Sequence, residues 1–160
     1  MKGIINFESI WRRSLKTMGR YYQWLFWQQR NYPTRKMKKI RDLYSQFVEP
    51  GNLCFDIGAN MGSRVSAFLI LKAKVIALEP QEKCIKELQK VFKGYDVTVI
   101  RKGAGAKNEW KDFFLADNTL ISSFSQEWIR GMKSGHLQKN NWDEPVQVEI
   151  VTLDTLMQQY

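Results

Sequence analysis

Between Leu53 and Ile100 the chain alternates two kinds of apolar pattern. "LCFDI" (53 to 57), "VIALE" (75 to 79) and "VTVI" (97 to 100) are short runs rich in apolar and β-branched residues, which predict strands. Between them, "SRVSAFLILK" and "EKCIKELQKVFK" are long enough, and suitably patterned, to predict helices. Connections of that length are not hairpins, so the order predicts βαβαβ: an α/β fold with a parallel sheet and helices on its faces. Farther on, "DFFLA" (112 to 116) and "VQVEIVTL" (146 to 153) predict an antiparallel pair separated by a Ser-, Asn- and Gly-containing segment. Asp154 in "TLDT" is read as the N-cap of a final helical turn.

Before residue 53 the period is helical. Trp11, Leu15, Met18, Tyr22, Leu25 and Phe26 recur on one side, while Arg12, Arg13, Lys16, Arg20 and Gln23 fall mainly on the other. Pro33 in "NYPT" removes a backbone donor and biases Tyr32 toward extended geometry, and Thr34 is placed to cap a second helix. Ile40, Leu43, Tyr44, Phe47 and Val48 supply the apolar stripe of that helix, which "EPGN" (49 to 52) ends in a turn.

Charge divides the chain at the same place. Residues 1 to 41 hold eleven Lys and Arg against Glu8 alone, whereas the other 119 residues hold 14 basic and 15 acidic side chains and are close to neutral. The pattern predicts a basic amphipathic helical arm (1–41) on a neutral domain (42–160), the arm suited to an anionic membrane surface or another polyanion. The competing expectation is that its apolar face docks on the domain. Nucleic acid is disfavoured because no recognition motif accompanies the basic residues. Cys54 and Cys84 lack metal-ligand spacing and predict neither a disulfide framework nor a zinc site, which fits a reduced, cytoplasmic setting. The longest uncharged N-terminal stretch, "YYQWLFWQQ" (21 to 29), is far below the ~20 residues that span a bilayer.

The chemistry concentrates at "FDIGANMG" (55 to 62), where the first predicted strand ends. Ligands of open parallel sheets bind outside the carboxyl ends of the strands. Gly58 is expected to turn the chain sharply off the strand, and Gly62 to let the next helix start close to the sheet and to a ligand. Asn60 between them tolerates positive φ. G-A-N-M-G never completes the dinucleotide pattern G-x-G-x-x-G, so a nicotinamide cofactor is disfavoured. Glu79 ends the second strand, where a carboxylate can accept hydrogen bonds from both hydroxyls of an adenosine ribose, which fits an adenosyl ligand with or without phosphates.

"FDIGANMGSRVSAFLILKAKVIALEP", followed by "VTVIRKGAGAKNEW", "SS" at 122 to 123 and "VEIVTLDTL", resembles the FkbM family of S-adenosylmethionine-dependent methyltransferases over roughly Phe47 to Leu156. The D-[IV]-G-A-N-x-G, E-P and late L-D elements occur in order. The resemblance implies a class I, Rossmann-like methyltransferase fold. It places Asp56, Gly58, Ala59, Asn60 and Gly62 around the methionine end of S-adenosyl-L-methionine, Glu79 on the ribose with Pro80 beside it, and Lys102, Gly103 and Ala104 near the adenine. Family members continue past the L-D element into a fourth strand with K-[IV]-D-x-E-G, whereas this sequence stops at Tyr160, so about half a catalytic domain is expected here. Strand 1 is then an exposed edge, to be covered by a second copy of the chain or by Val146 to Leu153.

The activity implied is methyl transfer to an oxygen of a saccharide or other hydroxylated molecule. The sequence assigns no catalytic acid or base. His136, the single histidine, lies in the polar "KSGH" stretch and reads more simply as exposed than as a base. Ser122 and Ser123 are equally consistent with an acceptor pocket and with loop solvation. The alternative function is a catalytically idle adenosyl-binding or interaction module whose basic arm carries the biological role.

Overall fold

A computed structural model of the chain describes residues 20–134 and 141–160. The predicted βαβαβ unit is present: β1 (Leu53–Ile57), α3 (Ser63–Ile70), β2 (Lys74–Leu78), α4 (Glu82–Val91) and β3 (Val97–Ile100), preceded by α1 (Tyr21–Asn31) and α2 (Arg35–Tyr44). The three strands are parallel in the order β1-β2-β3. Val75 to Leu78 of the central strand are buried without interruption, as expected where both faces of a parallel strand are covered. Alternation sends Val75 and Ala77 toward Val65 and Phe68 of α3 and Leu88 and Val91 of α4. Ile76 and Leu78 face the other way, onto Val151 and Leu156.

Helix α1 docks on this layer. Phe26, 5% exposed, meets the rings of Phe92 and Tyr95 edge to face at centroid distances of 5.0 and 5.1 Å, and Gln23 Nε2 donates to the Lys90 carbonyl at 3.1 Å. Phe26 therefore belongs to the core, not to the lipid-facing stripe expected of the arm. Trp11, Leu15 and Met18, with Arg12, Arg13 and Lys16, lie outside the described residues, as does His136.

Thr34 caps α2 as expected, its hydroxyl accepting from the Met37 N–H at 3.2 Å. The stripe of α2 is rotated from the expected one. Met37 is buried and Tyr44 packs on Phe68 at 4.8 Å, which turns Leu43 outward; the helix ends at Tyr44, so Phe47 leaves its period and is 73% exposed.

The antiparallel pair belongs to a second sheet. β4 (Gly103–Ala104), β5 (Glu109–Phe113) and β6 (Val146–Val151) follow the order β4-β6-β5, with β6 parallel to β4 and antiparallel to β5. β5 lies three residues earlier than the apolar run "DFFLA" predicts: its ladder pairs Glu109 to Phe113 with Ile150 to Val146, and of "DFFLA" only Asp112 and the buried Phe113 fall within it. Helix α5 (Gln126–Lys133) is capped by Ser125. Thr152, not Asp154, caps α6 (Leu153–Met157); its hydroxyl accepts from Thr155 N–H, and Asp154 occupies the first turn, where its charge suits the helix dipole. With β6 committed to β4 and β5, residues 146 to 153 do not cover β1. That strand stays an edge among the described residues, with Leu53 and Ile57 each 40% exposed. Both cysteines are free, and no described helix is long and apolar enough to cross a membrane.

If α1 is part of the core, Phe26→Ala should cost about 3 kcal/mol by the usual cavity penalty, against under about 1 kcal/mol for Trp27→Ala at a 54% exposed position on the same helix. Urea unfolding of both variants checks this, and equal small losses would show that α1 is not part of the cooperative unit.

Candidate functional site

Three residues with left-handed backbone, Gly58 (φ 71°), Asn60 (φ 47°) and Gly62 (φ 79°), turn the chain from β1 into α3. The N–H groups of Gly58 and Ala59 both donate to the Leu78 carbonyl at 2.9 Å, which folds the loop over the end of β2. The two glycines do different things. A Cβ on Gly62 would lie 2.4 Å from the Phe92 ring and 2.8 Å from Leu88, so this glycine serves close packing against the core and not against a ligand. A Cβ on Gly58 would meet nothing within 4 Å, so its open side is the one that faces free space.

Glu79 follows β2 directly and is 2% exposed. Its Oε2 accepts from the Asn60 N–H at 2.7 Å and its Oε1 from the Gln81 N–H at 2.9 Å, so one carboxylate ties together the loops after β1 and β2. The tie extends to residues 116 to 122. Asn60 Oδ1 accepts from Met61 N–H at 2.9 Å and from the Thr119 hydroxyl at 3.3 Å. Gln81 Nε2 donates to the Thr119 carbonyl at 3.0 Å, its Oε1 accepts from the Ser122 hydroxyl at 3.0 Å, and Ser122 Oγ accepts from Ala116 N–H at 3.0 Å.

These elements enclose a cleft of about 510 Å³. Gly58, Asn60, Glu79 and Pro80 line it, opposite Ser122 and Ser123, with Phe113 and Phe124 as apolar walls. Four expected residues thus come together with the serine pair. Asp56 and Gly62 are buried beneath the loop as support, and Ala59 is buried with them. Lys102, Gly103 and Ala104 are not brought to the cleft. Lys102 Nζ pairs with Glu149 Oε1 at 2.7 Å, Gly103 is closed in by Ile150 and Phe124, and Ala104 pairs with Val151 in the second sheet. The residues that sequence reasoning missed are Arg64, Gln81 and Thr119, polar side chains that stand in no motif.

Arg64 lines the cleft, and its Nε donates to Asp56 Oδ1 at 2.8 Å. Asp56 is buried and its Oδ2 has no hydrogen-bond partner among the described residues. Burial pushes the Asp56 carboxyl above its ordinary 3.8, while the hydrogen bond and charge of Arg64 pull the other way. Asp56 in turn raises the pKa of Arg64.

Compared with known proteins, the chain matches no family model and no curated sequence.

Two outcomes follow from the geometry. Gly62→Ala should cost about 2–4 kcal/mol, combining left-handed strain with overpacking, and Gly58→Ala only about 1 kcal/mol, since strain acts there alone; urea unfolding compares them. For Asp56, a raised folded pKa means that the folded chain holds the proton more tightly than the unfolded chain. The stability this gives is complete below 3.8 and is lost as pH rises through the folded value. The stability of Asp56→Asn relative to the parent should therefore increase as pH rises from below 3.8 through the folded value. A relative decrease over that range would show that attraction to Arg64 outweighs burial.

Proposed function

We propose that the chain carries the adenosyl-binding part of an S-adenosylmethionine-dependent methyltransferase of FkbM type, acting on a hydroxyl oxygen. The observation that carries this reading is the convergence of Gly58, Asn60, Glu79 and Pro80, far apart in sequence, on one cleft at the carboxyl ends of β1 and β2. The donor set suits the group. Each Glu79 oxygen accepts one backbone N–H and keeps further acceptor capacity for ribose hydroxyls, Ser122 and Ser123 add hydroxyls, and Pro80, Phe113 and Phe124 offer apolar faces to a flat ring. The open side of Gly58 leaves room for close approach.

S-adenosylmethionine supplies, when bound, a methyl group already activated on a sulfonium centre. The chain's own contribution is positioning: the Glu79 tie fixes the loop that faces the cleft. Among the described residues, Arg64 and Glu79 are the charged side chains that line the cleft, and neither is placed as a proton acceptor for a hydroxyl, since Glu79 is held by two amides and Arg64 is cationic.

One feature favours a second reading, the catalytically idle module. A carboxylate that is 2% exposed and bonded through both oxygens is also what a purely structural loop staple requires. Calorimetry with S-adenosylhomocysteine separates the two. The parent should bind, and Glu79→Gln should bind more weakly by about 1–3 kcal/mol through loss of a charged acceptor. No binding by the parent, together with a lowered unfolding midpoint in the variant, would leave Glu79 as a staple only.

A further inference from the structure

A second cavity, of about 380 Å³, lies on the other side of Asn60, and no sequence motif points to it. Its floor is the glycine loop, with Asn60, Met61 and Ser63. Its walls are Tyr22, Leu25 and Phe26 of α1 and Val91 and Phe92 at the end of α4. Asn60, Thr119 and Leu120 line both spaces, so the Thr119 to Asn60 hydrogen bond stands between them.

The chemistry of this lining is specific. Among the described residues that line it, none is charged, in a chain of which 26% is charged. Gln29 and Ser63 contribute neutral polar residues to the lining. A mainly apolar chamber with a few neutral polar groups suits a ligand with an apolar body and a hydroxyl, whereas an anionic ligand would lose water without counter-charge from the described lining. Leu120, 76% exposed, forms the lip toward solvent.

We infer that this cavity binds the methyl acceptor, and that the acceptor is an uncharged, hydroxyl-bearing molecule with an apolar body. The inference rests on the adenosyl reading of the adjacent cleft. Across the Asn60 boundary, the hydroxyl oxygen forms its bond to the methyl carbon as the carbon–sulfur pair stays with sulfur, and the hydroxyl proton is released to water. Helix α1 is then a specificity element, with Leu25 and Gln29 reading the acceptor.

The test uses the full chain and a matched pair of probes, 2-naphthol and the anionic 2-naphthoate, titrated by calorimetry at neutral pH, with S-adenosylhomocysteine titrated separately. The parent should bind 2-naphthol at least about tenfold more tightly than 2-naphthoate. Leu25→Glu, at a half-buried position on α1, should weaken 2-naphthol by at least about tenfold and leave S-adenosylhomocysteine within about twofold. Leu25→Met should preserve both. No 2-naphthol binding by the parent, equal affinity for the two probes, or indifference to Leu25→Glu would overturn the cavity assignment. Intact 2-naphthol binding without S-adenosylhomocysteine binding would instead overturn the adenosyl reading and the acceptor role with it, so the two failures are told apart.

Discussion

A carboxylate shut away from water has to keep donors on its oxygens, because an isolated buried charge is among the costliest things a fold can contain. Glu79 meets that demand with two backbone amides, one from the loop after β1 and one from its own side of the loop after β2. Side-chain donors could swing away, but backbone amides move only with the chain. The conformation of both loops is therefore tied to one residue, and Asn60 keeps its φ of 47° partly because its N–H must point at Glu79. From Asn60 and Gln81 the network runs on to Thr119 and Ser122, which hangs a distant segment from the same carboxylate.

That arrangement presupposes the central strand. β2 is buried on both faces, so the residue after Leu78 is shielded wherever the neighbouring loops close over it. They do so through the Leu78 carbonyl, which accepts from Gly58 and Ala59, while Glu79 N–H donates to the Ile100 carbonyl of β3. Gly62 has a separate task. It brings the start of α3 against Phe92 and Leu88, the same Phe92 on which Phe26 of α1 rests. The glycine loop, α4 and α1 thus share one packing contact, and the wall of the second cavity is set by the core.

Period and turn chemistry carried the parallel strands, the helices between them and the Thr34 cap, because apolar spacing and capping oxygens are local signals. Glu79 was visible as a strand-end carboxylate, but its two amide partners were not, since a backbone donor leaves no trace in residue identity. Lys102 to Ala104 fall outside the cleft for a related reason. The end of a strand does not say whether the chain will fold over a ligand or join another sheet, and the smallness of Gly103 answers to Ile150 and Phe124, neither adjacent in sequence. Gln81 and Thr119 meet across 38 residues, and Asn60 and Thr119 across 59, at separations where neither periodicity nor spacing gives notice. The rotation of α2 came from packing: Tyr44 on Phe68 decides which of two adjacent apolar rows turns inward.

Charge and shape part company along residues 20 to 41. Arg20, Arg30, Arg35, Lys36, Lys38 and Lys39 are exposed, while Phe26 and Met37 are buried in the same two helices. A positive exterior acts on anions in solution over a screening length of about 8 Å at physiological ionic strength, so it raises their concentration at the surface. It gives them nothing inside, because the described residues that line the cavity behind α1 carry no charge to replace lost hydration. One helix therefore presents two different chemistries, an electrostatic one toward solvent and a neutral one toward the loop. For the acceptor we propose, selection within the cavity would fall to fit against Tyr22, Leu25 and Phe92, with Gln29 and Ser63 as neutral polar neighbours.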